Sequence, residues 1–505
     1  MQVEDQSAVI AFLADPRSHD SVAPVEVVQT HISVIFLVGE RAFKLKRAVH
    51  LPYADFSTPA IRLAACEKEL ALNRPAAPEL YLGVRRITRG AGGLAFDGAG
   101  ALIDAVVEMT RFDQDRLFDR MAQRGELEAG MIRALSSEIV AAHARAEIAD
   151  GQGGAANIAG VLDINRAGFG ESTVFSAAEV AAIDDAFRQR LAAHAALLDA
   201  RGKAGRIRRC HGDLHLRNIC LWQGQPRLFD CIDFNDQLAT IDVLYDLAFM
   251  AMDLWHRELR DFANLLVNHY LDRTGDEGGF ALLPFFMALR AAVRAHVTAT
   301  QAETAAADQA EAARGTAREY YALAMEMLAP QPARLVAIGG LSGSGKSTVA
   351  EALAPSIGPA PGARLIESDR ARKAMFGVSP ETRLPDDAYR PEVSDQVYGS
   401  MAARTTALLR AGCPVLADAV FDRADRRAAI ALAGAEVGAP FTGLWLDVAP
   451  EVLRQRVAAR RGGVSDATVQ ILETQLARDL GPMNWLKIDG GQPVDRVVAA
   501  IRRQL

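Results

Sequence analysis

The octapeptide Gly340-Leu341-Ser342-Gly343-Ser344-Gly345-Lys346-Ser347 has the spacing G-x-x-x-x-G-K-[ST], directly after the apolar run Leu-Val-Ala-Ile-Gly and before the helix-forming stretch Ser-Thr-Val-Ala-Glu-Ala-Leu. Such a loop is built to bind phosphate. Its glycines let backbone N–H groups turn inward around phosphate oxygens, the helix N-terminus adds positive potential, Lys346 reaches the β/γ-phosphates, and Ser347 holds Mg2+. Gly340, Ser342, Gly343, Ser344, Gly345, Lys346, Ser347 and Thr348 are the expected contacts of a nucleoside triphosphate. Two carboxylates follow at expected strand ends, Asp369 after Arg-Leu-Ile-Glu-Ser and Asp418 after Pro-Val-Leu-Ala. In an open parallel sheet, ligands bind at that edge. Asp369 suits the removal of a proton from an acceptor hydroxyl, or the capping of the helix that begins there; Asp418 suits a Mg2+ held through water. Arg454, Arg456, Arg460 and Arg461 recur at near-helical spacing after Pro450, fitting either charge neutralisation on a transferred group or a solvated basic face.

A second cluster lies upstream. His211-Gly212-Asp213-Leu214-His215-Leu216-Arg217-Asn218 sets an Asp and an Asn five residues apart in a loop leading into the expected strand Ile219–Trp222; a second strand, Arg227–Ile232, then ends in Asp233-Phe234. A hairpin of this form presents three proton- or metal-handling groups to one point. Asp213 would orient or deprotonate an acceptor hydroxyl, Asn218 and Asp233 would hold Mg2+ on ATP phosphates, and His211 would buttress the loop.

These residues need elements to position them. Thr30 to Val49 alternates around Gly39-Glu40 and predicts an antiparallel hairpin. Residues 58–74 have helical spacing, strands are expected near Tyr81–Ile87 and Ala101–Met109, and the chain is mostly helical from about Glu128 apart from the strand-rich island Ile207–Phe234. Gln301 to Leu328, rich in Ala and Glu, reads as one long helix, and the prolines of Ala-Pro-Gln-Pro-Ala (329–333) stop it and mark a linker. Beyond it, apolar strands (Leu335–Ile338, Arg364–Ile366, Val415–Ala417, Gly443–Leu446) alternate with helical stretches, as in a parallel sheet of βαβ units. Two domains are expected, 1–328 and 334–505.

The downstream motifs, GGLSGSGKST, SDRAR, LADAVF and the arginine-rich stretch, resemble the P-loop kinase group that includes gluconate kinase, zeta toxins and polynucleotide 5′-kinases. That resemblance implies a three-layer α/β/α P-loop domain acting on a small or terminal hydroxyl, with Arg456 and Arg460 toward the nucleotide. Asp369 with Arg372 is similar to the polynucleotide-kinase pairing of a base with a substrate-phosphate-binding arginine. Upstream, H-G-D-x-x-x-x-N before I-D-F resembles the aminoglycoside phosphotransferase and choline/fructosamine kinase family, as does Tyr245-Asp246-Leu247-Ala248-Phe249. A bilobal protein-kinase-like fold is implied, in which Asp246 braces the catalytic loop, Lys46 (with Lys44 on the same strand face) pairs with phosphate, and Glu69 (or Glu67) is the ion-pair partner. The sequence departs from that family in two places. No G-x-G-x-x-G precedes the lysine strand, where His31-Ile32-Ser33 stands, and the metal motif reads Asp-Phe-Asn.

Composition bounds the reading. In 505 residues, half are hydrophobic and 24% charged, a globular balance, and the formal net charge is -7, with the segment from 334 onward slightly basic. That acidity opposes polynucleotide binding. No charged segment followed by an apolar one opens the chain and no apolar run approaches bilayer length, so a cytoplasmic protein with no membrane partner is expected. Five cysteines without a C-x-x-C pair read as reduced thiols, and the spacing of Cys210, His211, His215 and Cys220 suits no common zinc site. The expectation is a bifunctional kinase using ATP and Mg2+ on hydroxyls of a small metabolite, sugar or nucleoside. Two alternatives stand beside it: a downstream 5′-hydroxyl kinase acting on RNA or DNA, and a module that binds nucleotide only to regulate its neighbour.

Overall fold

Alternation around Gly39, which takes a left-handed φ of +52°, closes the hairpin Ser33–Val38 with Arg41–Lys46, pairing Val38 with Arg41 and Ser33 with Lys46. This hairpin lies inside a six-stranded antiparallel sheet in the computed structural model, ordered Glu26–Gln29, Ser33–Val38, Arg41–Lys46, Ala101–Thr110, Tyr81–Gly90, Gly93–Phe96. The period of two sorts the lysine strand. Phe43 and Leu45 pack on one face with Val9 and Leu13 of the helix Ser7–Ala14, while Ala42 packs on the other with Cys66 of the helix Pro59–Asn73. Lys44 and Lys46 therefore point toward that second helix, where Glu69 sits. Gln6 fastens the strand's end: its side-chain amide donates to Lys46 O and Asp104 Oδ2 at 3.0 and 2.8 Å, and Asp104 Oδ1 in turn accepts from fully buried Arg62.

The structure describes residues 3–30, 32–51, 54–149, 153–380, 382–459 and 465–505. By packing, the chain divides into two units, residues 1–164 with 191–253 and residues 165–190 with 254–505. In the first, the strand-rich island resolves into the hairpin Ile219–Trp222 with Gln225–Leu228 and the pair Ile207–Arg209 with Thr240–Asp242. The second hairpin strand thus ends at Leu228 rather than Ile232, because Asp230 adopts a left-handed φ of +61° that breaks the ladder.

The second unit holds a five-stranded sheet whose strands are all parallel, in the order Arg364–Glu367, Val415–Asp418, Leu335–Gly339, Phe441–Asp447, Leu486–Asp489. Val336, Ile338, Leu416 and Leu444 pack against Val349 and Leu353 of the helix Lys346–Leu353 and Val497 and Ile501 of the helix Val494–Arg502. Each such fully buried aliphatic side chain contributes about 1.5–3 kcal/mol. The fifth strand is unannounced in sequence because it is a short edge strand, exposed at Leu486, Lys487 and Asp489, with no apolar run. The outer strand Arg364–Glu367 is anchored from the helix Arg260–Thr274, where Asn268 Oδ1 accepts from Leu365 N at 2.9 Å and Asp272 binds the buried Arg364 guanidinium, joined by Glu277 from the turn that follows. Helices upstream of the 329–333 linker thus pack in the same unit as the phosphate loop.

Two expectations change. Gln301–Leu328 is not one helix, since a helix Leu283–Thr304 ends and a second, Ala307–Leu328, begins after extended Ala305 and Ala306. An alanine run carries no residue that would announce such a break. The helical segment Glu277–Glu303 is, moreover, long and apolar enough to cross a membrane by composition, but its most apolar stretch is mostly buried inside the protein, as for a core helix.

Candidate active sites

In the upstream unit, Glu69 receives both lysines: Lys44 Nζ at 2.8 Å on Oε1 and Lys46 Nζ at 2.8 Å on Oε2. Burial alone would raise the Glu69 carboxyl, but the two ammonium groups outweigh it and hold it down at about 2. Glu67 is exposed and takes no part in this pairing. Lys46 also contacts Asp233 Oδ2 at 2.5 Å, and Lys44 pairs with Asp230. Burial raises the Asp233 carboxyl and the Lys46 charge works against it. An ammonium thus stands as counterion on the oxygen expected to hold a cation, which fits the chemistry of a Mg2+ ligand.

The catalytic loop is held from behind. Asp246, fully buried, accepts from Gly212 N at 2.8 Å, from His211 N at 3.2 Å and from the His143 ring at 3.1 Å. Gly212 has φ +82°, which lets two successive amides aim at one carboxylate. His211 Nε2 bonds Phe229 O at 2.9 Å and so ties this loop to the strand leading to Asp233. Asn218 donates its amide to Asp213 O and Oδ2 at 2.9 and 3.0 Å, leaving its own oxygen as the atom able to meet a cation. His215 Nε2 lies 3.3 Å from Asp213 Oδ2. Asn235, the last residue of the Asp-Phe-Asn motif, accepts from Leu238 N at 3.2 Å and caps the helix Asp236–Ala239, so it serves the backbone. Replacing Asp246 by Ala leaves buried amides without an acceptor, at about 1–3 kcal/mol each. The expected result is a denaturant midpoint lowered by an amount worth about 3 kcal/mol, and Asp246→Asn, which keeps one acceptor oxygen, should lose less.

Downstream, the phosphate loop runs from the strand Leu335–Gly339 to the helix Lys346–Leu353 with positive φ at Gly340, Gly343 and Gly345. A Cβ on Gly340 would lie 2.7 Å from Ser344 Oγ, and one on Gly343 would lie 3.0 Å from Leu453 O. The loop opens into a cavity of about 650 Å³, lined by Lys346, Ser347, Thr348, Asp369, Arg372 and Asp418 among others. Ser347 Oγ donates to Asp418 Oδ2 at 2.6 Å, and Glu367 Oε1 stands 3.2 Å away. Burial, and after it the neighbouring Asp418, push the Glu367 carboxyl up to about 7. Burial likewise raises Asp418, against the pull of Lys346. These oxygens are a hard-cation donor set, and Ser347 and Asp418 would hold Mg2+ there. Ser342 N currently donates to Gln475 Oε1 at 2.9 Å, an acceptor a phosphate oxygen would replace.

Residues 98–283 match the model of the phosphotransferase enzyme family, and residues 335–479 match a model described as an AAA domain. The chain is an ATP-dependent kinase, with one segment matching a phosphotransferase family and a second matching a P-loop domain model. Uncharacterized proteins of Mycobacterium bovis and Mycobacterium tuberculosis are each 29% identical to it over 483 residues, 94% of both chains. Among solved structures, a thermostable mutant of an aminoglycoside phosphotransferase is 15% identical over 62% of this chain and 98% of its own, with a TM-score of 0.38. A choline kinase from Cryptosporidium parvum is 10% identical over 60% and 88% (TM-score 0.37), and a gluconokinase from Sinorhizobium meliloti is 25% identical over 34% and 93% (TM-score 0.24).

In this phosphotransferase the sequence-expected residues separate into those that reach a site and those that serve the scaffold. Asp369 lines the downstream cavity in the first turn of the helix Ser368–Met375, and the residue at that helix's N-cap position is Glu367. Arg372 lines it too, with its guanidinium donating to Ala388 O at 2.6 Å and lying over the Tyr389 ring at 4.8 Å. Arg456 instead donates to Gly490 O at 3.1 Å, and Arg454 pairs with Glu473 at 2.7 Å. Arg460 and Arg461 lie outside the described residues. Sequence reading missed Glu367, Asp422, Arg423, Arg426, Gln475 and Arg478, all of which line the cavity. Asp422 and Arg426 fall beside the LADAVF motif, and that adjacency was the available signal; Gln475 and Arg478 arrive with the helix Val469–Leu476 and its C-terminal end, which carry no motif. Among the described residues, the His/Cys/carboxylate group that converges is His143, Cys210 and Asp246, not the Cys210–Cys220 cluster. Of these, His143 and Asp246 serve the loop brace, while the Cys210 thiol lies 3.6 Å from Ile241 O.

Proposed function

We propose that each module transfers the γ-phosphoryl group of ATP, with Mg2+, to a hydroxyl acceptor, the upstream module being residues 1–328 and the downstream one residues 334–505. Carrying this reading is one observation: the downstream cavity has a phosphate-binding loop at one end and a carboxylate, Asp369, on its wall. Bound Mg·ATP would supply an electrophilic γ-phosphorus. The chain's residues would do the rest. Asp369 downstream and Asp213 upstream would accept the proton of the attacking hydroxyl, while backbone amides and Lys346 would orient the phosphates.

A small polar acceptor suits the downstream site better than a polynucleotide. Arg372 Nε, Arg426 Nε and Asp422 Oδ1 are buried without a hydrogen-bond partner at the cavity, donors and acceptor that a hydroxyl-rich molecule would satisfy. Asp369, Asp422, Asp466 and Asp479 share the lining with Arg372, Arg423, Arg426 and Arg478, a wall of mixed charge and not the basic groove that a phosphodiester backbone draws on. A screen of labelled ATP transfer against sugars, nucleosides and 5′-hydroxyl oligonucleotides is the test. Transfer to a small acceptor, lost separately in Asp369→Ala and Asp213→Ala, is the expected result; transfer to the oligonucleotide alone would move the downstream module to end-kinase chemistry.

A further inference from the structure

Glu367 ends the strand Arg364–Glu367 in register with Asp418 on the adjacent parallel strand, so the sheet delivers two buried carboxylates side by side to the mouth of the phosphate loop. Both reach one hydroxyl, with Asp418 Oδ2 at 2.6 Å and Glu367 Oε1 at 3.2 Å from Ser347 Oγ. That hydroxyl carries a single proton and serves one carboxylate at a time. The oxygen left over then faces another carboxylate oxygen, and Lys346 is the nearby cation that acts on the Asp418 side of the pair. Taken out of water, such a pair either shares a proton or has its charge balanced by a cation. Arg370 does so for the far oxygen alone: its Nε donates to Glu367 Oε2 at 2.7 Å while its NH1 is held 3.6 Å from Asp272 Oδ2. This contact turns Oε1 onto Ser347 and leaves it there.

We infer that Glu367 is a direct oxygen ligand of the divalent cation in the downstream site, joining Ser347 and Asp418, so that the chain holds this cation before the triphosphate arrives. The inference rests on reading this module as a Mg·ATP-dependent phosphotransferase. Where a nucleotide brings its own metal, a hydroxyl and one carboxylate acting through water are sufficient. Two carboxylates and a hydroxyl converging on one point form a hard-oxygen set that binds a divalent ion without help from phosphate.

The test uses Mn2+ as the probe, following loss of the free-ion electron paramagnetic resonance signal with the full chain and no nucleotide. Asp233→Asn serves as background to silence the upstream site. This chain is expected to bind one Mn2+, and adding Glu367→Gln should weaken that binding by about tenfold or more. Glu367→Asp, which keeps the charge and shortens its reach, should weaken it as well and guards against misfolding of the glutamine variant. A non-hydrolysable ATP analogue with Mg2+, titrated into the same samples, should still bind through Lys346 and the loop amides. If the background chain takes up no Mn2+ without nucleotide, or if both Glu367 variants bind it as tightly as their parent, Glu367 is not a ligand, and intact analogue binding would show that the phosphate-loop reading survives. If analogue binding is absent too, that reading falls and the inference falls with it.

Discussion

Substituting Lys346 by Ala is expected to lower phosphoryl transfer by the downstream module about 10²- to 10³-fold, or roughly 3–4 kcal/mol of transition-state stabilisation. The argument is electrostatic. Lys346 opens the helix that follows the phosphate loop, its Nζ lies 3.2 Å from Leu341 O within the loop, and its charge already bears on Asp418. An alanine there keeps the helix, because it is the best helix former, and keeps the backbone amides. What disappears is the point charge aimed at the β/γ-phosphates, where negative charge is concentrated during transfer. Thermal unfolding should hardly change, and activity assigned to the upstream module should persist. A steady-state assay with the downstream acceptor checks it; undiminished kcat would remove the loop from the reaction.

Asp213→Ala carries the second large effect, a loss of about 10²- to 10⁴-fold in upstream transfer, the range set by a positioned general base. Asp213 stands on a loop whose backbone is fixed from the far side by Asp246 and whose own carboxylate is fixed by Asn218 and His215. Because the brace acts on His211 and Gly212 rather than on the Asp213 side chain, the alanine variant should remain folded with its loop in place. Its defect should therefore lie in kcat, with nucleotide affinity close to that of the parent. Asp246→Ala should differ by losing stability and activity together. Measuring kcat, KM for ATP and the denaturation midpoint for both variants separates a group that handles the proton from one that positions it.

Much of this arrangement is legible in the residues. The phosphate loop is written in contiguous spacing, and its strand and helix neighbours follow from one apolar run and one helix-forming run. His211 to Asn218 is equally local. The Lys44/Lys46–Glu69 contacts are readable because the period of two and the following helix place them on one face. Illegible features are those made by contacts distant in sequence. Nothing near His143 announces that it shares Asp246 with the catalytic loop 68 and 69 positions later, at His211 and Gly212. Glu367 reads as an ordinary strand residue until the register sets it beside Asp418. The arginine-rich stretch misleads for a related reason: Arg454 and Arg456 have helical spacing in sequence, yet the helix Pro450–Ala459 spends them on Glu473 and on Gly490 O. Asp466, which carries no motif, is what binds that neighbourhood, accepting from Tyr389 at 2.6 Å and Leu384 N at 3.1 Å while Lys373 stands 3.4 Å away.

The most direct measurement is the stoichiometry of a non-hydrolysable ATP analogue with Mg2+, by calorimetry on the intact chain. Two equivalents per chain are predicted, falling to one in Lys346→Ala and, independently, to one in Asp233→Asn. A single equivalent abolished by only one of those changes, or no uptake at all, would contradict the presence of two triphosphate sites.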